Sequence, residues 1–311
     1  MGARLESGCL TGKCDSGEGN RLTQMKLARY LLTVLLSALL LSCTTTTGPD
    51  LSGMSFSDEP LIGKAIWHDL VTDDPAAAER FYEGLFGWSF QKADRGGGHA
   101  YSVARSGGVW VAGIVAVDPP ADGSELSRWL PYLSVDDVDR AVEITRSAGG
   151  DIAATARNVP LGRVAAIVDR EGAVIGLARS DIGDPDDSTT AAAPGRVIWT
   201  ELLTNDVAAA EEFYRSVVGF EARTIERRGG EYTLLGHDGI DRVGLLSNPI
   251  PEWSPIWLTY FGVKDAAAAA SRAEELGGQI LVAASPEVRE GTMAVVADPT
   301  GALLVLQNWT Q

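Results

Sequence analysis

Cysteine is almost absent from this chain of 311 residues: Cys9, Cys14 and Cys43 are all there are, and no thiol follows position 43. The long C-terminal part therefore has no disulfide framework and no cysteine nucleophile. Histidine is as scarce, with His68, His99 and His237 alone, whereas a zinc site collects three or four donors at one point. Positive charge is in deficit, with 26 basic against 42 acidic residues and a net charge of −16. That balance argues against a nucleic-acid partner, which is held by neutralising phosphates. It also argues against direct adsorption on anionic lipid headgroups and weakly favours a cationic ligand. No apolar run reaches the roughly 20 residues that a membrane span requires. The glycine pairs and triplets, Gly96–Gly98 and Gly229-Gly230, do not have phosphate-loop spacing, and no dinucleotide fingerprint is present.

What is present is a duplication. Ile66–Trp88, IWHDLVTDDPAAAERFYEGLFGW, returns as Ile198–Phe220, IWTELLTNDVAAAEEFYRSVVGF, at a constant offset of 132 residues without a gap. Each copy reads as strand, turn, helix. Ile66–Val71 is short and apolar between turn residues. Asp74 before Pro75 makes an N-cap followed by proline at the first helical position. Ala77, Phe81 and Leu85 share one helical face, and Gly87 ends the helix. Trp129–Asp137 likewise matches Trp257–Asp265, and each runs into a helix that stops at a Gly-Gly pair. Alternating strands follow, closing through the turns Asp169–Gly172 and Asp298–Gly301. The unit is a strand, a helix and about three strands, four times over.

These motifs carry a resemblance. The pattern TxDxxAAxxFYxxxxG with a closing DPxG strand resembles the vicinal oxygen chelate superfamily of glyoxalase I, extradiol dioxygenases and bleomycin-resistance proteins. The Trp-x-acid-Leu-x-Thr opening is most similar to its tandem glyoxalase-like subgroup. The resemblance covers Gly63–Ser180 and Gly195–Trp309. It implies an α+β fold of four βαβββ modules paired into two cup-shaped, glyoxalase-like domains. The expected organisation is domain 1 at 61–180, a linker at 181–195 and domain 2 at 196–311, each domain with its own core. Asp181–Gly195, rich in Asp, Thr, Ala and Pro, has neither helical nor strand period, as a linker would.

Residues 1–24 are polar and glycine-rich without periodicity, and are expected to be an upstream translation artefact. Met25–Arg29 is basic, Tyr30–Leu41 is apolar, and Ser42-Cys43 follows, which reads as a secretory signal over 25–42. Leu40-Leu41-Ser42-Cys43 resembles a bacterial lipobox, in which Cys43 becomes the lipidated first residue. Residues 43–60 then read as a tether. The expected location is the cell envelope, with the membrane reached through the lipid. Cleavage would leave 21 basic against 39 acidic residues, a net charge of −18.

The resemblance also implies a divalent metal bound by His and Glu from the first and closing strands of each module. Those positions fall on Trp67, near Gly113, and on Leu130 and Gly176 in the first cup. In the second they fall on Trp199, near Gly244, and on Leu258 and Val305. None of these side chains ligates a cation, so no cofactor is expected. A divalent metal would need a shifted set built on Asp69 or Glu201. Strand alternation instead puts Trp67 and Asp69 on one face with Tyr132, and Trp199 and Glu201 on one face with Tyr260, Gln307 nearby. His68 faces the other way, and the three histidines are expected to be structural or superficial. A ring, an acid and a phenol suit a small apolar or cationic molecule. Equally, the Trp fills core and the acid bonds a neighbouring Tyr or backbone amide. Two readings follow: a metal-free binding lipoprotein, or a lyase, isomerase or dioxygenase-type enzyme with Asp69 or Glu201 as base or an atypical metal site.

Overall fold

The computed structural model describes residues 51–311, apart from 96–97, 120–125, 187–193, 228–229, 251 and 310–311. The signal and Cys43 lie outside the described residues. The first half contains β1 (Ala65–Thr72), α1 (Pro75–Phe86), β2 (Ser89–Ala93), β3 (Tyr101–Ser106), β4 (Val109–Ala116), β5 (Arg128–Ser134), α2 (Val138–Ser147), β6 (Asp151–Val159), β7 (Gly162–Val168) and β8 (Val174–Ser180). The second repeats it with β9 (Val197–Thr204), α3 (Val207–Val218), β10 (Glu221–Arg227), β11 (Gly230–His237), β12 (Ile240–Ser247), β13 (Ile256–Val263), α4 (Ala266–Glu275), β14 (Gln279–Val282), a 3₁₀ turn (Arg289–Gly291), β15 (Met293–Ala297) and β16 (Leu303–Asn308). The fold is α+β, four βαβββ modules forming two eight-stranded mixed sheets.

The helix boundaries follow from their capping residues. Asp74, Asp137, Asp206 and Asp265 each accept from the backbone N–H three residues on, which satisfies an otherwise orphaned donor of the first turn. Gly87 and Gly219 end α1 and α3 at φ of 70° and 87°, a conformation that costs glycine nothing.

The sheet orders are β2-β3-β4-β1-β5-β8-β7-β6 and β10-β11-β12-β9-β13-β16-β15-β14. In each, the two module-opening strands meet at the centre, antiparallel, with Trp67 opposite Tyr132 and Trp199 opposite Tyr260. Each opening strand also runs parallel to the last strand of its module, with Asp69 beside Gly113 and Glu201 beside Gly244. One face of each sheet is the cup. The other carries two helices.

The expectation that each half has its own core is corrected here. The two large buried clusters both draw on both halves. One joins Val138, Ala141, Ile167 and Ile175 to Phe213, Tyr214, Val243 and Leu245. The other joins Leu70, Phe81, Tyr82 and Trp88 to Phe261, Ala270, Val296 and Leu304. Helix α1 meets α4 and α2 meets α3. The reason is geometric: a short amphipathic helix covers its sheet on one side and still exposes apolar surface on the other, so the two helix layers bury each other.

Reciprocal polar bonds pin this junction. Trp129 Nε1 donates to the Tyr82 hydroxyl at 2.9 Å, and Tyr82 donates to Asp298 Oδ2 at 2.9 Å. In the mirror arrangement Trp257 Nε1 donates to Tyr214 at 3.0 Å, and Tyr214 donates to Asp169 Oδ2 at 3.0 Å. Burial, then the Asp charge, pushes both tyrosines up, so they remain donors; burial also raises both aspartates. His68 Nε2 lies 3.2 Å from Thr200 Oγ1, its own counterpart at the 132-residue offset. Burial holds that imidazole down to about 3, so it is neutral.

Part of the expected tether and linker is also pinned. Asp184 is buried and accepts from Leu61 N at 2.7 Å and Ser134 Oγ at 2.6 Å. Phe56 bridges to Pro185, and Lys64 Nζ donates to the Pro185 carbonyl at 2.6 Å. These two stretches satisfy each other's backbone groups and so do not behave as free coil.

Candidate functional site

Both inward acids are fully buried. Asp69 reaches this position because β1 alternates, and Gly113 beside it has no side chain. Asp69 Oδ1 accepts from Trp67 Nε1 at 2.8 Å and from the Tyr101 hydroxyl at 3.0 Å. Its Oδ2 accepts an ionic hydrogen bond from Arg95 Nη1, whose Nη2 donates to the Tyr132 hydroxyl at 2.8 Å. The Arg95 guanidinium lies 5.2 Å from the Tyr101 ring centre and 5.1 Å from that of Tyr132. Trp110 stands edge-on to Trp67 at 6.4 Å. Arg157 reaches the Arg95 carbonyl at 3.5 Å. Trp67, Asp69 and Tyr132 are thus brought together, with Arg95 closing the group.

The second cup repeats the arrangement with one arginine exchanged. Glu201 accepts from the Tyr260 hydroxyl on Oε1 and from the Tyr232 hydroxyl on Oε2, each at 2.6 Å. Trp199 Nε1 donates to Tyr232 at 2.9 Å rather than to the acid. Arg289 Nη2 stands 3.4 Å from both Glu201 Oε2 and the Tyr260 hydroxyl. Arg227 Cζ lies over the Tyr232 ring, 3.6 Å from its centre. Gln307 lies on the face of Val305, the residue beside Tyr260, and its Oε1 is buried with no partner in the structure.

Burial first, then the neighbouring carboxylate, raises Tyr101, Tyr132, Tyr232 and Tyr260 above the ordinary phenol value. All four therefore stay protonated and donate. Burial opposes the charge on Arg95, but Asp69 outweighs it and holds the guanidinium above its usual value. Arg289 is raised in the same sense, with Tyr260 and Glu201 outweighing burial. The acids are paired as buried charge requires.

The glycines at the implied metal positions have a visible purpose. A Cβ at Gly113 would overlap the Tyr101 hydroxyl and the Asp69 carboxylate. One at Gly176 would overlap the Tyr132 ring, and one at Gly244 the Tyr232 hydroxyl. Tyrosine rings from neighbouring strands fill that space. Among the described residues no group of three or more His, Cys, Asp or Glu converges as a metal site would. His68 is committed to Thr200, His237 Nδ1 lies 3.3 Å from the Gly219 carbonyl, and His99 is exposed. Two open clefts, of about 450 Å³ beside Asp136 and Arg163 and about 550 Å³ along α3, lie outside the cups.

Arg95, Tyr101, Trp110, Arg157, Arg227, Tyr232 and Arg289 are additions to the residues read from sequence. The repeat carried a signal for some of them. Arg95 and Arg227 are 132 residues apart, and Tyr101 and Tyr232 differ by 131 across a one-residue change in the glycine hairpin, whereas Arg157 and Arg289 are not counterparts, because the offset in their part of the repeat is 128 to 129.

Comparison with known proteins agrees with the architecture. The Glyoxalase/Bleomycin resistance protein/Dioxygenase superfamily matches residues 64–186 and 196–306. "Putative glyoxylase CFP32" of Mycobacterium tuberculosis is 36% identical over 246 residues, covering 78% of this chain and 93% of that protein. "Anthracycline biosynthesis protein DnrV" of Streptomyces peucetius is 30% identical over 260 residues, covering 77% and 91%. A Mn(II)-bound glyoxalase from Novosphingobium aromaticivorans aligns with a TM-score of 0.51 at 13% identity, over 80% of this chain and 83% of that one. The 2,2',3-trihydroxybiphenyl 1,2-dioxygenase from Sphingomonas wittichii aligns with a TM-score of 0.52 at 13% identity, over 80% and 91%. At such identities the two structures speak for the fold alone.

Proposed function

Because the chain belongs to the Glyoxalase/Bleomycin resistance protein/Dioxygenase superfamily, we propose that it binds a small aromatic molecule in its cups and does so without a catalytic metal. The family itself does not favour the second half of that statement, since a Mn(II)-bound glyoxalase shares the fold. The donor set does. A divalent transition ion needs three or four side-chain donors at roughly 2.0–2.3 Å from one point. Here each cup offers one carboxylate, already bonded to tyrosines and a guanidinium. A second cation beside Arg95 or Arg289 would meet like charge. The residues present do not fit the ion.

The same bonds weigh against Asp69 or Glu201 as a general base. A base must present a lone pair within reach of the substrate proton. Asp69 spends Oδ1 on two donors and Oδ2 on Arg95. Glu201 accepts a tyrosine on each oxygen. What the cups present instead is a wall of Trp and Tyr around a fixed polar centre, which suits recognition of a flat ring. The name of one relative, an anthracycline biosynthesis protein, is in keeping with such a ligand. We place the protein at the cell envelope, held by a lipid on Cys43, with no nucleic-acid partner. Native mass spectrometry of the intact chain purified from its source tests the binding: a retained organic molecule is expected, and a protein that carries only a metal ion would overturn the reading.

A further inference from the structure

We propose that the second cup takes an aromatic ligand bearing an anionic group, a carboxylate or phenolate, anchored by Arg289 and Arg227. The proposal rests on the small-molecule reading above and narrows its ligand class. The sequence, through its net charge of −16, pointed towards a cation. The second cup reverses that balance locally. The first polar centre sets Asp69 against Arg95, with Arg157 reaching only the Arg95 backbone carbonyl, whereas the second sets Glu201 against Arg289, with Arg227 over the neighbouring Tyr232 ring. Arg95 and Arg227 occupy matching places in the repeat, 132 residues apart.

The two cups differ in how much of that positive charge is in use. Arg95 is committed: its side chain is 10% exposed, it is ion-paired with Asp69, and it bridges to Tyr132 at 2.8 Å. Arg289 is not. Its side chain is 35% exposed, and its two bonds are both 3.4 Å long and both come from Nη2. A guanidinium has five donors in a planar fork that matches a carboxylate. Glu201 does not need more from it, because a tyrosine hydroxyl at 2.6 Å already serves each oxygen. Arg227 is exposed and spends its face on Tyr232, which leaves its edge donors at the mouth of the cup.

The backbone under Arg289 supplies a second, independent observation. Arg289 and Glu290 have φ of 45° and 60°, followed by Gly291 at 78°. Side-chain-bearing residues in the left-handed region are uncommon, and two in succession are strained. Such strain persists where the position of a side chain matters. Here it aims Arg289 over Tyr260, 5.4 Å from the ring centre, while Glu290 stays exposed at the rim. The bound ligand then lies against the half-buried Trp199, with its anion between the two guanidinium groups and Tyr260 buried beneath Arg289.

Three probes with one ring system separate the possibilities: 2-naphthoate, 2-naphthalenemethanol and 2-naphthylmethylamine, titrated into the intact chain by calorimetry. The naphthoate is expected to bind at least about tenfold more tightly than either of the others. Arg289→Leu and Arg227→Leu should each weaken it about tenfold or more, and Arg289→Lys should recover part of the loss, since a point charge replaces a fork. Glu201→Gln should tighten naphthoate and weaken the amine; Arg163→Leu, outside the cups and paired with Asp139, should change naphthoate binding less than twofold. If the alcohol binds as well as the naphthoate, or the amine binds best and is lost in Glu201→Gln, the anionic class is wrong and the small-molecule reading stands. If none of the three binds, both fall.

Discussion

Tyr82→Phe removes one oxygen from the junction between the halves, and the cost can be worked from the bonds it makes. Tyr82 accepts from Trp129 Nε1 and donates to Asp298 Oδ2, both at 2.9 Å and both buried. The bond to a charged acceptor contributes about 1.5–3 kcal/mol, and a buried donor left without an acceptor costs about 1–3 kcal/mol. Asp298 Oδ1 keeps Thr300 and Ala302, and these remaining donors still serve the carboxylate, whose pKa burial raises. That relief trims the sum, leaving a loss of about 3 kcal/mol. Tyr214→Phe should cost the same for the same reason. The two sites share no partner, so the double variant should lose about 6 kcal/mol. Urea unfolding followed by tryptophan fluorescence and by far-UV circular dichroism reads the effect. Because each core is built from both halves, every variant should shift a single transition, with the two probes coincident. Two separated transitions, only one of them moved by each substitution, would refute the shared core.

Three other outcomes are expected. His68 is held near 3 against 6.5 when unfolded, so the unfolded chain binds the extra proton below 6.5 and stability falls as pH drops from 6.5 toward 3. Wild type should therefore lose about 3 kcal/mol more than His68→Gln between pH 7 and 4 in urea unfolding; equal losses would show the imidazole is not the cause. Gly244→Ala should displace Tyr232 from Glu201, cost about 1–3 kcal/mol by overpacking and weaken 2-naphthoate binding, whereas Gly219→Ala, which meets nothing within 4 Å, should pay only its backbone strain and leave binding alone. Cys43→Ser should move the protein from the membrane fraction to the soluble fraction, or leave it unprocessed at higher mass; unchanged fractionation and mass would remove the lipid anchor.

The module was legible because each of its parts has a local cause. Asp74 and Asp206 cap, Gly87 and Gly219 stop, and strand alternation sets Trp67 and Asp69 on the face of Tyr132. Those causes act within a few residues and survive in the sequence. The arginines were harder to read. Arg95 and Arg227 stand next to glycine hairpins, where a charged residue ordinarily points to water, and only the constant offset distinguishes them. The face of Tyr101 follows from the pairing of β3 with β4, which slips at Ala104/Arg105, so alternation counted along the chain does not place it. The joining of the cores left no trace at all in the pattern: an apolar helix stripe reads the same whether it packs on its own sheet alone or also on a duplicate. In the sequence the glycines at 113, 176 and 244 stand only as positions without a ligating side chain, and the tyrosines that occupy their space give them their meaning.

The central claim is that these cups hold an organic molecule around a carboxylate–tyrosine–arginine centre and not a metal. Elemental analysis of the intact chain decides it most directly, on protein purified without chelator and again after incubation with Zn, Ni, Fe or Mn followed by desalting. The account predicts far less than one metal per chain in every sample, unchanged in Asp69→Asn and Glu201→Gln. One metal per chain that disappears in either variant would contradict it and return the protein to the metal-dependent enzymes that share its fold.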